Sequence, residues 1–249
     1  MELALKGKSV LITGASKGIG LACARAFAAE GCSLHLAARS ADLLAAHRTE
    51  IGAKYGVAVT THVSDLRAPG AAQALAAACS EVDILVNNAG DIPGGTLDRM
   101  NEERWRHAWE LKVFGYVNLT REMLARMQPR RRGVIFNVIG MAGVSHPPDY
   151  ICGAVGNAAL EAFTKAAGKG AIEQGVRVLG LHPGATMTDR IVAINKTIAG
   201  QKLGDESRWE EMLAGTRMQQ PEQVADTVVF LCSERASHLS GVVLNLVAT

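Results

Sequence analysis

Short apolar runs alternate along the chain with longer segments in which apolar residues recur every three or four positions. The first run, Val10–Ile12, leads into a glycine-containing turn and then into an Ala- and Leu-rich segment that ends near Gly31. The short runs are typical of buried strands, and the longer segments are typical of amphipathic helices. The same pattern predicts strands at Cys32–Arg39, Val57–Val63, Asp83–Val86, Gly133–Val138, Val176–Leu181 and Gly241–Leu246.

The segments between these strands have the length that helical crossovers need. They predict helices at Asp42–Tyr55, Ala71–Cys79, Glu102–Gln128, Ala154–Gln174 and Pro221–Ser233. Regular alternation of strand and helix favours an α/β fold with a Rossmann-like, doubly wound parallel sheet. No repeat or change of composition divides residues 1–249, so we predict a single domain. Residues 185–215 are polar, contain several glycines and lack a strand pattern, and we predict a lid or substrate loop there.

Composition narrows the class of protein further. The 249 residues are 48% hydrophobic, enough for one full core, and a net charge of +2 predicts neither a nucleic-acid nor a membrane partner. The first nine residues do not resemble a signal peptide and no apolar run reaches transmembrane length, so we predict a cytoplasmic protein. Five scattered cysteines without a Cys-x-x-Cys pair predict reduced thiols and no metal site.

The turn after the first strand carries a glycine motif in the context that gives it meaning. It reads Thr13-Gly14-Ala15-Ser16-Lys17-Gly18-Ile19-Gly20, between a predicted strand and a predicted helix. Gly14 suits a tight turn, Gly18 lets backbone N–H groups approach a pyrophosphate, and Gly20 lets the helix lie close to the sheet. The N-terminus of the helix adds unpaired N–H groups and a positive dipole end.

Together with three further motifs, this turn resembles the short-chain dehydrogenase/reductase family over essentially the whole chain. The further motifs are Asp65-Leu66, Asn87-Asn88-Ala89-Gly90, and Pro183-Gly184 followed by Thr186 and Thr188, each after a predicted strand. The carboxyl edge of an open parallel sheet is where ligands bind. The resemblance implies cofactor contacts from Gly14, Ser16, Lys17, Gly18, Ile19, Gly20, Arg39, Ser40, Asp65, Leu66, Asn88, Ala89, Gly90, Asn157, Pro183, Gly184, Thr186 and Thr188.

The end of the second strand indicates which nicotinamide cofactor binds. NAD-binding members place an acidic side chain there, which accepts a hydrogen bond from the ribose 2′-hydroxyl. This chain reads Ala38-Arg39-Ser40 instead, and Arg39 can pair with a 2′-phosphate. Lys17 adds a second positive charge. We therefore predict NADP(H).

The catalytic residues of the family are missing from their expected positions. The family uses an Asn, a Ser, a Tyr and a Lys, the Tyr exchanging a proton with the substrate oxygen. The segment Ala158–Lys165 resembles the helix sequence that follows the family's Tyr-x-x-x-Lys motif. Counting back from it puts Gly153 at the Tyr position and Asn157 at the Lys position. The same register puts Gly140 at the Ser position, and Lys112 precedes the apolar-x-Gly step that normally follows the Asn. Two glycines there predict an unusually open cavity.

Three residues could take over the proton transfer. Tyr150 lies three positions before Gly153 and is not followed by a Lys at the family spacing, so a loop aromatic on the pocket floor is the simpler interpretation. His182 precedes Pro183 at a strand end, where it could donate a proton or be a packed structural residue. Lys112 could turn its amine into the vacated space or extend it to solvent.

Two functions remain open for the sequence. The first is an NADP(H)-dependent oxidoreductase that acts on an unidentified small carbonyl or alcohol by an altered proton route. The second is a catalytically silent cofactor-binding protein, such as a redox sensor or structural partner; a lyase or isomerase activity is a weaker third. Small residues recur at helical spacing at Ala158, Ala159, Ala162, Phe163, Ala166 and Ala167, and family members pair this helix across a two-fold axis. We predict a homodimer or homotetramer.

Overall fold

A seven-stranded, all-parallel sheet forms the centre of the molecule. The computed structural model describes residues 2–246. The strands are β1 Ser9–Thr13, β2 Ser33–Ala38, β3 Val59–Val63, β4 Ile84–Asn87, β5 Gly133–Val138, β6 Val176–Pro183 and β7 Val243–Leu246. Their spatial order is β3-β2-β1-β4-β5-β6-β7, and every neighbouring pair runs parallel. The predicted α/β, doubly wound fold is confirmed.

Helices cover both faces of the sheet. They are α1 Gly18–Ala29, α2 Ala41–Tyr55, α3 Ala71–Ala78, α4 Glu102–Trp109, α5 Gly115–Met127, α6 Ala142–Ser145, α7 Ile151–Ala171, α8 Asp189–Leu203 and α9 Pro221–Cys232. One core lies between the sheet and α1, α2 and α9, around Phe27 and Val228. The other lies between the sheet and α3, α5 and α7, around Leu75 and Met123. The sheet therefore has no solvated face, which explains why its strands read as apolar runs.

Three differences from the predicted elements affect the site. The predicted helix Glu102–Gln128 is α4 and α5 joined by one π-helical turn, Glu110–Phe114, which contains Lys112. Helix α7 begins at Ile151, three residues earlier than predicted, so Gly153 lies in its first turn and Tyr150 is its N-cap. Strand β6 continues to Pro183.

The segment predicted as a lid or substrate loop, 185–215, is mostly helical. It contains α8 and a 3₁₀ segment, Glu206–Leu213. Thr188 caps α8, its hydroxyl accepting a hydrogen bond from the Ile191 N–H. The loop part of the prediction was wrong because Asp189–Leu203 has little amphipathic contrast to distinguish it from a polar loop, and the cap rather than a core-facing stripe starts the helix. Its role over the substrate stays a prediction.

Two bulk features complete the fold. All five cysteines are buried free thiols. Within residues 2–246, no helix combines the length and apolar character that crossing a bilayer requires.

The chain passes from β1 outward to β3 and then returns to β4 beside β1. That reversal of direction opens a crevice at the carboxyl ends of β1 and β4.

Candidate functional site

Close backbone packing explains the glycines of the β1–α1 turn. Gly14 and Gly18 have φ angles of +66° and +53°, in the left-handed region. A Cβ on Gly14 would lie 2.9 Å from the Cα of Ala89, and a Cβ on Gly20 would lie 2.3 Å from the carbonyl oxygen of Gly14. The first turn of α1 therefore lies directly against the loop that precedes it. No side chain projects from these positions into the crevice.

Hydrogen bonds tie this turn to the segment after β4. The Thr13 hydroxyl accepts from the backbone N–H groups of Asn88 and Ala89, at 3.0 and 3.1 Å. The Asn88 amide donates to the carbonyl oxygens of Thr13 and Gly14, at 3.1 and 3.3 Å. The two motifs thus form one rigid unit. The sequence did not indicate Thr13 as a site residue, although its position before the first glycine was a usable signal.

The crevice holds two cavities that share part of their lining. The first has a volume of about 560 Å³ and the second about 330 Å³. Ile19, Asn88, Gly90, Thr188 and Arg190 line both, so the two form one continuous cleft. Predicted residues in the first are Gly14, Ser16, Lys17, Gly18, Ile19, Arg39, Ser40, Asp65, Leu66, Asn88, Ala89, Gly90 and Thr188. Predicted residues in the second are Ile19, Asn88, Gly90, Lys112, Gly140, Tyr150, Asn157, Pro183, Gly184, Thr186 and Thr188.

Charged side chains of both signs line the first cavity: Lys17, Arg39 and Arg190, with Asp65, Asp91 and Asp189. Asp91 pairs with Arg39 at 3.7 Å, Arg67 at 3.2 Å and Arg190 at 3.8 Å. Lys17 pairs with Asp189 at 3.7 Å. The Arg39, Lys17, Asp91 and Asp189 side chains are all more than half exposed, so water screens their pairs and these pairs contribute little to stability. Arg39 and Lys17 keep exposed guanidinium and ammonium groups at the cavity wall.

Lys112 is the buried cation of the second cavity. The π-helical turn directs its side chain inward, where its amine donates to the Val138 carbonyl oxygen at 2.8 Å and to the Tyr116 hydroxyl at 3.0 Å. The Tyr116 hydroxyl in turn donates to the same carbonyl oxygen at 2.9 Å. Burial, with a smaller contribution from the charge of Arg190, lowers the pKa of Lys112 from 10.5 to about 7. Of the two placements considered for Lys112, the structure has the inward one.

Tyr150 fills the space that opens at Gly153. A Cβ on Gly153 would lie 2.0 Å from Cε1 of Tyr150 and 2.3 Å from its Cζ. The Tyr150 hydroxyl accepts from Arg190 at 3.2 Å, and Arg190 also donates to the carbonyl oxygens of Gly90 and Ile92, both at 2.8 Å. The expected open cavity at Gly153 was therefore wrong, because the aromatic ring three residues earlier folds back over the glycine. Arg190 was missed by the sequence analysis.

Gly140 and Asn157 lie against each other at the inner wall of the second cavity. Gly140 has a φ of +146°, and a Cβ there would lie 2.7 Å from Nδ2 of Asn157. Asn157 is buried, and its Oδ1 atom has no hydrogen-bond partner. An unpaired buried acceptor costs free energy unless a ligand supplies the donor.

His182 lies outside the cleft. Its side chain is fully buried, with Nδ1 2.7 Å from the Gly140 carbonyl oxygen and Nε2 3.1 Å from Oε2 of Glu161. Both ring nitrogens are engaged, and the residue lines neither cavity. Of the two roles considered for His182, the structure favours the packed structural one, because its ring is directed toward Glu161 on α7. The Lys165 amine donates a hydrogen bond to Oε1 of Glu161, and this bond, followed by the charges of Lys165 and His182, lowers the pKa of Glu161.

Comparisons with known proteins agree with this architecture. The sequence matches the family described as short chain dehydrogenase over residues 8–199. It is 30% identical over 250 residues to the 3-oxoacyl-(acyl-carrier-protein) reductase FabG of Aquifex aeolicus (strain VF5), covering 99% of this chain and 98% of that protein. The crystal structure of L-sorbose reductase from Gluconobacter frateurii, complexed with NADPH and L-sorbose, is similar with a TM-score of 0.90 at 31% identity, covering 99% of this chain and 97% of that one. A 7 alpha-hydroxysteroid dehydrogenase complexed with NADH and 7-oxo glycochenodeoxycholic acid is similar with a TM-score of 0.87 at 31% identity, covering 99% and 95% of the two chains.

Proposed function

Because the chain belongs to the short-chain dehydrogenase family, we propose that it is an NADP(H)-dependent oxidoreductase that reduces a small carbonyl compound by an altered proton route. The observation that carries this proposal is Lys112, a buried amine at the wall of the second cavity with a pKa of about 7. A group that titrates near neutral pH can both give and take a proton during turnover. The substrate remains unidentified.

The residues of the cleft fit a dinucleotide. The glycine turn leaves its backbone N–H groups uncovered at the N-terminus of α1, where a pyrophosphate would be stabilised. In the second cavity the unpaired Oδ1 of Asn157 can accept a hydrogen bond from a ribose hydroxyl. Asn157 would then keep the ribose contact of the family lysine without its charge.

We assign the preference for NADP(H) to Arg39 and Lys17. No carboxylate stands at the end of β2, where the sequence reads Ala38-Arg39-Ser40, and the Arg39 guanidinium can form two parallel hydrogen bonds to a 2′-phosphate. Its pair with Asp91 is long, at 3.7 Å, and exposed, so a doubly charged phosphate would compete effectively. The similar L-sorbose reductase was solved with NADPH and the similar 7 alpha-hydroxysteroid dehydrogenase with NADH, so family membership alone does not set the preference.

Lys112 would hold the proton for the reaction. When bound, the reduced nicotinamide supplies a hydride to the carbonyl carbon. The Lys112 ammonium would stabilise negative charge developing on the substrate oxygen and transfer its proton there, leaving an alcohol and a neutral amine. The Val138 carbonyl oxygen and the Tyr116 hydroxyl orient the amine. Tyr116 is itself fully buried, and burial raises its pKa well above the ordinary value, so it is a positioning residue.

A catalytically silent cofactor-binding protein is the second candidate, and Gly153 favours it. Position 153 carries no side chain, and the Tyr150 phenol that fills this space has its hydroxyl engaged by Arg190. Loss of a general acid costs roughly 10²–10⁴-fold in rate. A silent protein would bind NADPH but show no turnover above the solution reaction.

The deciding experiment measures NADPH oxidation against a broad panel of carbonyl compounds. We expect turnover of reactive substrates, with an apparent pKa near 7 in the pH profile. Lys112→Met should lower kcat by roughly 10²-fold or more and remove that pKa, whereas Lys169→Met, on the exposed side of α7, should change neither. Tyr150→Phe tests whether the Tyr150 hydroxyl, the alternative proton donor, is needed for turnover. Turnover lost in Tyr150→Phe but kept in Lys112→Met would refute the assignment of the donor, and NADPH binding without any turnover would favour the silent protein.

Cofactor preference is tested separately by calorimetry. The unmodified protein should bind NADPH more tightly than NADH, and Arg39→Ala should weaken NADPH binding far more than NADH binding. Arg132→Ala, which removes an exposed arginine outside both cavities, is the matched control. Equal affinities for the two cofactors in the unmodified protein would contradict the proposal.

We also propose a homodimer or homotetramer formed through α7. Ala162 and Ala166 are exposed on this helix, and Val155 is 44% exposed on the same helix. Phe114, in the adjoining π-helical turn, is 45% exposed. Large apolar side chains exposed together with small ones suit close helix–helix packing.

A further inference from the structure

Two histidines and a cysteine from three separate elements converge beside the core that α3, α5 and α7 cover. His35 lies on β2, His62 lies on β3, and Cys79 immediately follows α3. In the β2–β3 register Ala37 is opposite His62 and Thr60 is opposite His35, so both histidines lie on the sheet face that α3 covers. Cys79 is buried under this face. The three lie 27 and 17 residues apart, and no sequence motif indicates them.

The three ligand atoms are spaced as the first shell of a tetrahedral ion requires. Nδ1 of His35 and Nε2 of His62 lie 3.0 Å apart, and the Cys79 Sγ lies 3.5 Å from each of them. For a tetrahedral zinc ion, bonds of about 2.05 Å to nitrogen and 2.3 Å to sulfur place nitrogens about 3.3 Å apart and sulfur about 3.6 Å from nitrogen. The observed spacing needs a change of only a few tenths of an ångström.

We propose that His35, His62 and Cys79 bind a zinc ion, with the fourth position open to water. Imidazole nitrogen and thiolate sulfur are ligands that zinc favours, whereas magnesium and calcium require oxygen. Both imidazoles are half-buried, which gives an ion a path from solvent. Nothing in this set overlaps the residues that line the two cavities, so the ion would have a role separate from the redox chemistry.

The protonation states agree with such a site. Burial lowers the pKa of His35 and of His62, and the neighbouring His62 adds to the effect on His35. These shifts favour the neutral form of each imidazole, which is the form that binds a metal ion. Burial raises the pKa of Cys79 to about 12, so the thiol stays protonated until an ion displaces its proton.

The ion would join an edge strand to its covering helix. Strand β3 ends the sheet and pairs only with β2 among the described strands. One bound ion would link β2, β3 and the end of α3 across long stretches of sequence. An ion that binds the folded state and not the unfolded chain stabilises the folded state.

The test is calorimetric titration of untagged, chelator-treated protein with Zn²⁺. We expect one ion per chain and an increased melting temperature in the presence of Zn²⁺. Cys79→Ser and His62→Ala should each weaken binding by at least about tenfold and reduce the increase. Cys23→Ser, at a buried thiol in the core on the other face of the sheet, and His107→Ala, at an exposed imidazole, are the matched controls and should bind as the unmodified protein does.

A spectroscopic readout covers the case in which a variant folds poorly. Co²⁺ in place of Zn²⁺ should give a thiolate-to-metal absorption band with the unmodified protein and with His107→Ala, and no such band with Cys79→Ser. His62→Gln, which keeps a polar side chain on the edge strand, provides a second ligand deletion. Absence of binding, or binding that Cys79→Ser and both His62 variants leave unchanged, would overturn the proposal.

Discussion

The buried amine of Lys112 makes the stability of the protein depend on pH in a defined direction. Its folded pKa of about 7 lies below its ordinary value of 10.5, so the unfolded chain binds one more proton between these values. The free energy of unfolding therefore increases with pH across this window. The full cost of burying the charged amine is present below about pH 7. The difference in pKa corresponds to about 5 kcal/mol at acidic pH.

Lys112→Met removes this dependence while keeping an unbranched side chain of similar length. Between about pH 6 and pH 9, linkage predicts that the free energy of unfolding of the unmodified protein increases by about 2–3 kcal/mol relative to that of the variant. The variant also loses the hydrogen bond from Lys112 to the Val138 carbonyl oxygen. This loss adds a nearly pH-independent amount to the difference in unfolding free energy, because Tyr116 still donates to that oxygen. The pH dependence of the difference, and not its absolute value, is the quantity to measure.

Urea unfolding at fixed protein concentration and several pH values measures it, with Lys169→Met as an exposed control. The control should follow the unmodified protein at every pH. A difference between the unmodified protein and Lys112→Met that stays constant within about 0.5 kcal/mol would refute a low pKa for this amine. It would also remove the reason for assigning the proton transfer to Lys112.

Three further predictions follow from packing. Gly153→Ala should destabilise the protein by about 1–3 kcal/mol, because its Cβ would meet the Tyr150 ring at 2.0 Å, and most of this loss should vanish in a Tyr150→Ala background measured by the same unfolding assay. Gly20→Ala should abolish NADPH binding or folding, since the new Cβ would lie 2.3 Å from a backbone oxygen. Gly170→Ala, where no atom lies within 4 Å of the new Cβ, should be neutral or slightly stabilising. Equal behaviour of the two variants would contradict the packing argument. Light scattering at micromolar concentration should give the mass of a dimer or tetramer, and Val155→Lys should shift it toward the monomer; a monomeric unmodified protein would exclude the proposed assembly.

The local sequence pattern was enough to predict a structural element wherever a single physical requirement restricts the residue type at a position. Strand Gly133–Val138 was predicted with the observed bounds, because the apolar run Val134–Phe136 is typical of a buried parallel strand. The β1–α1 turn was predicted because only glycine tolerates the positive φ of Gly14 and the close approach at Gly20. The carboxyl-edge position of the motifs followed from the parallel topology.

Local pattern failed where the outcome depended on residues distant in sequence. Tyr150 fills the space at Gly153, and only the start of α7 at Ile151 brings them together. His182 was a candidate proton donor from its strand-end position, but pairing with Glu161 on α7 turns it away from the cleft. Helix α8 was missed because its sequence lacks the apolar stripe that identifies a helix covering a core.

The sequence by itself determined the α/β class and the glycine turn, since both depend on residue types and spacing along the chain. That Gly153 and Asn157 stand at the family's Tyr and Lys positions stays a prediction from the same spacing. The tertiary structure alone decided that the Lys112 amine lies buried at the cleft wall. It alone brought His35, His62 and Cys79 within hydrogen-bonding distance of one another. The physical reason is that pKa values and ligand geometry depend on desolvation and on distances through space, and neither is encoded in any short stretch of sequence.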